Sequence, residues 1–118
     1  MQNFSIRPTG DKGRGVFAER RFWRGEIVEA VPVVVLPDPQ YELLERTTLK
    51  DYYLYWTDQA VAVAFGCGSL INHSPRPNAE MRRDYERGLI RIVALRDIQP
   101  GEEITVTYHC KPWFKVVD

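Results

Sequence analysis

The chain is cut, almost from end to end, into short apolar runs separated by turn signals, and that punctuation excludes most architectures at once. Runs of roughly four to eight residues rich in Val, Ile and Tyr, bounded by Gly, Pro, Asn or Asp, read as strands; an amphipathic helix needs a sustained 3.6-residue period. "GVFAER" (15–20) follows the glycine-rich turn "TGDKGRG", and "EIVEAVPVVVLP" (26–37) reads as a longer strand in which Pro32 marks an edge or a bulge. "YYLYW" and "AVAVAF" flank "TDQ" as one hairpin, and "AEMRRD" and "GLIRIVALR" flank "YERG" as another. "RDIQPGEEITVTY" turns at its Pro-Gly pair into a last strand on which Ile104, Val106 and Tyr108 alternate. Only the stretch from Tyr41 to about Lys50 reads as a short helix. The expectation is a mostly β protein of six or seven short strands with one or two helical turns.

At 118 residues, 44% of them hydrophobic, the chain fits one compact domain with a real core. Its formal net charge is zero, which argues against a nucleic-acid partner held by a global basic surface. Local groups such as Arg20, Arg21 and Arg24, or Arg82 and Arg83, read as solvated faces. The opening "MQNFSIRPTG" has no apolar stretch of the secretory kind, and "AVAVAFGCGSLI" (60–71) is too short to span a bilayer. A soluble, intracellular protein with no membrane partner is expected. Two cysteines, Cys67 and Cys110, are too few for a disulfide framework and read as free thiols.

The two histidines carry the first question about chemistry. "GSLINHSPRPNAE" (68–80) sets His73 between Asn72 and Ser74, on a stretch that Pro75 and Pro77 are expected to keep from being helix or strand. A metal would have Cys67, His73, His109 and Cys110 to draw on, but adjacent His109 and Cys110 do not easily face one tetrahedral ion, and no paired-ligand spacing exists. No metal site is expected, and Cys67 reads as a small buried apolar residue. Gly10, Gly13 and Gly15 precede an expected strand, whereas a dinucleotide-binding loop follows a strand and opens a helix. What remains is a turn whose bare backbone can lie flat against a ligand. Taken alone, Tyr108 reads as packing.

In this order the pieces resemble the SET domain of protein lysine methyltransferases. The first motif is Gly13-Arg14-Gly15-Val16-Phe17-Ala18, the second Asn72-His73-Ser74 with Pro77-Asn78 behind it, and the third runs from Gly101 through Glu102, Glu103 and Ile104 to Tyr108. The phrases "WRGEIVEAVPVV" and "IRIVALRDIQPGEE" match as well, so the resemblance covers about residues 6–108, with 109–118 as a tail and 1–118 as a single domain. It implies the SET-domain (β-clip) fold, with short strands in small sheets, little helix and a knot-like crossing near the carboxyl end, an exception to unknotted connections. The format is similar to the free-standing viral and bacterial members, which lack the zinc-binding flanking segments; Cys110 stands alone after the last motif.

The resemblance also implies an activity: methyl transfer from S-adenosylmethionine to a lysine ε-amine of a histone or other basic protein, leaving S-adenosylhomocysteine. By resemblance the cofactor lies against the backbone of Lys12, Gly13, Arg14 and Gly15 and against Asn72 and His73. The backbone of the last two meets adenine, and the Asn72 side chain holds the amino-acid end. Tyr108 matches the catalytic tyrosine, and Trp113 or Phe114 in "HCKPWFKVVD" is the candidate aromatic lid. Tyr53 is the second channel aromatic, with Tyr52 or Tyr55 as alternatives of register; Tyr53, Tyr55 and Val106 are the candidate substrate contacts. Val106 stands where relatives often carry Phe or Tyr, and its lack of a hydroxyl implies more than one methylation. The region from "VPVVVLPDPQ" to "YYLYW" is the candidate groove wall, and a homodimer could complete that groove. The location implied is cytoplasmic in a bacterium, nuclear or host-directed for a viral protein or effector. Two other readings stay open: a peptide-binding module of the same fold with weak turnover, and an unrelated all-β interaction domain.

Overall fold

The structure, a computed structural model, describes residues 3–11, 13–37 and 39–107. The amino-terminal strands β1 (Phe4–Pro8) and β2 (Arg14–Ala18) form an antiparallel hairpin. The backbone N–H of Thr9 and its hydroxyl both donate to the Gly13 carbonyl, at 2.7 and 3.0 Å, and close the turn. The glycine loop therefore joins two strands, as a turn and not as a phosphate loop. β1 exceeds the expectation because it carries little strand signal: only Phe4 and Ile6 are aromatic or aliphatic, and a proline ends it.

β3 (Ile27–Pro37) is the spine of the larger sheet. Its first half pairs with β8 (Leu89–Ala94) and its second half with β5 (Ala60–Ala64), all antiparallel. Pro32 sits at the handover, opposite Leu89, with Val33 opposite Ala64. The expectation of an edge or a bulge at Pro32 is corrected: the strand is central, and its register shift lies between Ile27 and Glu29. A residue without an N–H is tolerated where one ladder stops and another begins.

The sheet is completed by β4 (Leu54–Thr57) and β7 (Ala79–Asp84), in the order β4-β5-β3-β8-β7. Both expected hairpins are thus present. The expected helix is present in two pieces, α1 (Tyr41–Leu44) and a 3-10 turn over Thr48–Asp51. Gln40 supplies no side-chain cap to α1, whereas the Thr47 hydroxyl accepts the Leu49 N–H at the start of the second piece.

The smaller sheet has the order β1-β2-β9-β6, with β6 (Asn72–His73) and β9 (Glu103–Val106). β6 and β9 are parallel, Asn72 opposite Thr105 and His73 opposite Val106. This overturns the expectation that prolines bar the segment from being a strand. They begin only at Pro75, so the Ser74 N–H is free to donate to the Val106 carbonyl at 2.9 Å. The expected knot-like crossing falls on the end of the chain and lies outside the described residues.

One core joins the sheets. Val16 and Ile104 come from the smaller, Val31, Ile90 and Ile92 from the larger, and Phe22 and Ile98 meet between them through an isolated bridge. Each is fully or almost fully buried, and each contributes about 1.5–3 kcal/mol by leaving water. Side chains also link the two outermost strands of the larger sheet. Arg83 Nε donates to the Tyr55 carbonyl at 2.9 Å, and the Tyr85 hydroxyl donates to the Trp56 carbonyl at 3.0 Å.

Candidate active site

The parallel pair brings the second and third motifs against the first. From β6, the Asn72 side-chain amide reaches across to β2 and donates to the Arg14 carbonyl at 2.9 Å. Its other hydrogen goes to Glu103 Oε2 on β9, at 2.8 Å. Gly15 lies under this contact, and it is fully enclosed by the chain's own side chains. A Cβ there would lie 2.6 Å from Glu103 Oε2, 2.8 Å from Thr9 Cγ2 and 2.9 Å from Asn72 Nδ2. The close approach expected from a ligand at Gly15 is therefore made by Thr9, Asn72 and Glu103.

Asn78 fastens the other side of the junction. It is buried, and its amide lies along β9 like a short strand: Nδ2 donates to the Glu103 carbonyl at 2.8 Å and Oδ1 accepts the Thr105 N–H at 2.9 Å. The Thr107 hydroxyl donates to the Ser74 carbonyl at 2.7 Å. The segment 72–78 is thereby clasped to the last strand at both ends, irregular in backbone but fixed. Beside it, Arg96 pairs with Glu102 at 2.6 Å, and this cation, with the Gln99 N–H, holds the Glu102 carboxyl below its ordinary range.

The expected site residues fall into three groups. Gly13, Arg14, Gly15, Asn72 and His73 are brought together at the strand junction, with Val106 opposite His73 and buried in the core. Tyr55 belongs to β4 of the larger sheet, and Tyr53 stands just before that strand. The Tyr53 hydroxyl donates to Glu45 Oε2 at 2.7 Å, and burial, then the acceptor carboxylate, pushes its pKa well above the phenol range. The Tyr55 ring lies 4.9 Å from the Arg83 guanidinium carbon. Lys12, Tyr108 and Trp113 lie outside the described residues.

Sequence reasoning gave no role to Glu103, Asn78 or Thr9. The first two stand inside the motifs, and the available signal was a pair of amides six residues apart, Asn72 and Asn78, with a pair of adjacent carboxylates, Glu102 and Glu103, in the third motif. Cys67 is buried, its thiol pushed up by burial and by Glu29, whose carboxylate accepts the Cys67 N–H at 3.0 Å. Among the described residues no group of three or more His, Cys, Asp or Glu is arranged to hold a metal ion, and no helix is long and apolar enough to cross a membrane.

The family model of the SET domain matches residues 13–109, which contain Arg14, Gly15, Asn72, Asn78 and Glu103 of the junction. The chain belongs to the SET domain family. It is 33% identical over 111 residues to a Schizosaccharomyces pombe histone-lysine N-methyltransferase specific for H3 lysine-37, covering 93% of this chain and 76% of that protein. It is 34% identical over 110 residues to the histone-lysine N-methyltransferase Set2 of Drosophila melanogaster, covering 85% of this chain but 5% of that far longer protein. Among solved structures, a Plasmodium falciparum protein assigned as a histone methyltransferase superposes with a TM-score of 0.77 at 27% identity, covering 97% of this chain and 99% of that one. The SET fold explains the nine described strands in small sheets and the parallel Asn-His pair, which no composition argument reaches.

Proposed function

We propose that this chain is a protein-lysine N-methyltransferase that moves a methyl group from S-adenosylmethionine to a lysine ε-amine of a histone or another basic protein inside the cell. The observation that carries the reading is the junction of Asn72, Arg14, Gly15 and Glu103 in a chain of the SET domain family. S-adenosylmethionine carries an ammonium, a carboxylate and a sulfonium, so it suits a site of acceptors and open backbone. Asn72 Oδ1 and the Glu103 carboxylate supply acceptors, and the turn at Gly13 has nothing within 4 Å of where a side chain would stand. The donor set fits the group.

When bound, the cofactor supplies an electrophilic methyl; what the chain contributes is placement and dryness. Asn72, His73 and the backbone of Lys12, Gly13 and Arg14 would hold the cofactor, with Gly15 enclosed behind them, and the Tyr108 hydroxyl would orient the incoming amine. A free lysine titrates near ~10.4, and enclosure beside a positive charge lowers that value, so a neutral amine is reached without a dedicated base. Tyr53, anchored through its hydroxyl, would present a ring face to the aliphatic stem of the substrate, and Tyr55 would offer the ring face opposite the one covered by Arg83. Val106 brings no hydroxyl to the channel, which favours more than one methylation. Exposed Val34 and Val35 on β3 are the groove wall for the peptide.

The reading is tested by incubating the protein with methyl-labelled S-adenosylmethionine and recombinant core histones. Label on lysine is expected, with the Tyr108→Phe rate lower by roughly a hundredfold, the scale of losing one preorganised group at a reaction centre. Absence of label from histones and from lysine-rich peptides alike would contradict it.

A further inference from the structure

We infer that Glu103 is a positioning residue: together with the Arg14 carbonyl it takes both amide hydrogens of Asn72 and so fixes which way that amide faces. This rests on the cofactor reading of the same site and deepens it. An asparagine amide can usually be turned over, because its oxygen and nitrogen are alike in size. Here the choice is removed. The two atoms facing the amide are a carbonyl oxygen at 2.9 Å and a carboxylate oxygen at 2.8 Å, and both can only accept. The NH2 must face them, and Oδ1 must face away.

Asn72 is half-buried, and its Oδ1 meets no donor among the described residues. No buried side-chain oxygen or nitrogen is left unpaired among them, so Oδ1 is open to solvent. The site therefore presents a fixed, preorganised acceptor, with the Glu103 charge behind it. Of the two ends of an α-amino acid, it accepts the ammonium and repels the carboxylate. Gly15 belongs to the same device, since any side chain there would displace Glu103 or Asn72. The amide orientation thus sets which group the site takes, and Glu103 sets the amide orientation.

The test is titration calorimetry of wild type, Glu103→Gln and Glu103→Ala with two ligands. S-adenosylhomocysteine has the amino-acid end; 5′-methylthioadenosine carries the same nucleoside thioether without it. Glu103→Ala is expected to weaken S-adenosylhomocysteine about tenfold or more, equivalent to ~1.4 kcal/mol. Glu103→Gln, which still offers an oxygen to Asn72, is expected to keep most of the affinity. Neither variant should change the affinity for 5′-methylthioadenosine. Equal weakening of both ligands would reduce Glu103 to a structural part and overturn the inference, as would an unchanged S-adenosylhomocysteine affinity in Glu103→Ala.

If Glu103→Ala does not fold, a polarity swap decides. Asn72→Asp sets two carboxylates face to face, and adding Glu103→Gln restores a donor between them. Recovery of S-adenosylhomocysteine binding in the double variant supports the inference; losses that simply multiply overturn it. Wild type that binds neither ligand would sink the cofactor reading itself, a result distinct from any of these.

Discussion

A methyl group added at Gly15 would meet Glu103, Thr9 and Asn72 inside 3 Å, whereas one added at Gly13 would meet nothing within 4 Å. Gly13 is constrained by backbone instead: its φ of +75° lies in the left-handed region, where other residues are strained. The two glycines of one motif are there for different reasons, and alanine separates them. Gly13→Ala is predicted to lower stability by about 1–2 kcal/mol and, standing in the open turn assigned to the cofactor, to weaken S-adenosylhomocysteine less than Gly15→Ala does. Gly15→Ala is predicted to cost about 1–3 kcal/mol and, by moving Asn72, to weaken that ligand strongly. Thermal unfolding with and without ligand checks both; equal effects of the two variants on binding would contradict the assignment. Asn78 gives a third case. Asn78→Ala leaves the Thr105 N–H and the Glu103 carbonyl unpaired in a dry place and should cost about 1–3 kcal/mol, read by denaturant titration. A cost near zero would mean that water replaces the amide.

Beyond the backbone ladders, elements of this molecule are joined by side chains that reach between them. The junction of β4 and β7 depends on Arg83, half-buried, which donates through Nε while its guanidinium lies over the Tyr55 ring. A lysine cannot do both, so Arg83→Lys is predicted to lose about as much stability as Arg83→Met, in the range of ~1–2 kcal/mol. A Lys variant as stable as wild type would show that only the charge matters. Turns are tied by carboxylates. Asp97 accepts the Arg24 N–H at 2.8 Å and pairs with Arg21, and Asp84 accepts the Arg87 N–H at 2.9 Å and pairs with Arg91. These contacts, backbone donor first and guanidinium second, hold both acids below their ordinary value of 3.8, and Glu102 is held below 4.5. A carboxyl that is more acidic folded than unfolded adds stability above its unfolded value, and that stability is lost as pH falls through the folded one. The unfolding midpoint should therefore be level near neutrality and drop as the pH falls through 4.5 and 3.8. Asp97→Asn should show a shallower drop; an equal or steeper one would remove Asp97 from the account.

At the scale of the whole molecule, what was legible in the sequence was local. The hairpins around "TDQ" and "YERG" are present because alternating apolar residues and a turn lie within one window. The site was legible only as three motifs in order, through their resemblance to a family. Their meeting depends on contacts between residues 31 and 58 positions apart, which no periodicity records. The same limit hid β6, two residues long and a strand only because β9 lies beside it, and the side-chain link from β7 to β4 across 28 positions. Pro32 was misjudged for a related reason: a proline signals a lost donor, not the change of partner that makes the loss harmless. Tyr53 is singled out only by the resemblance, with Tyr52 and Tyr55 as alternatives of register, and its hydroxyl is tied to Glu45, eight residues back.

The central claim is that the Asn72 junction is a cofactor site, and titration calorimetry with S-adenosylhomocysteine tests it most directly. Wild type should bind, Asn72→Ala should bind at least about tenfold more weakly, and Tyr108→Phe should still bind. A folded wild-type protein that takes up no S-adenosylhomocysteine would contradict the account.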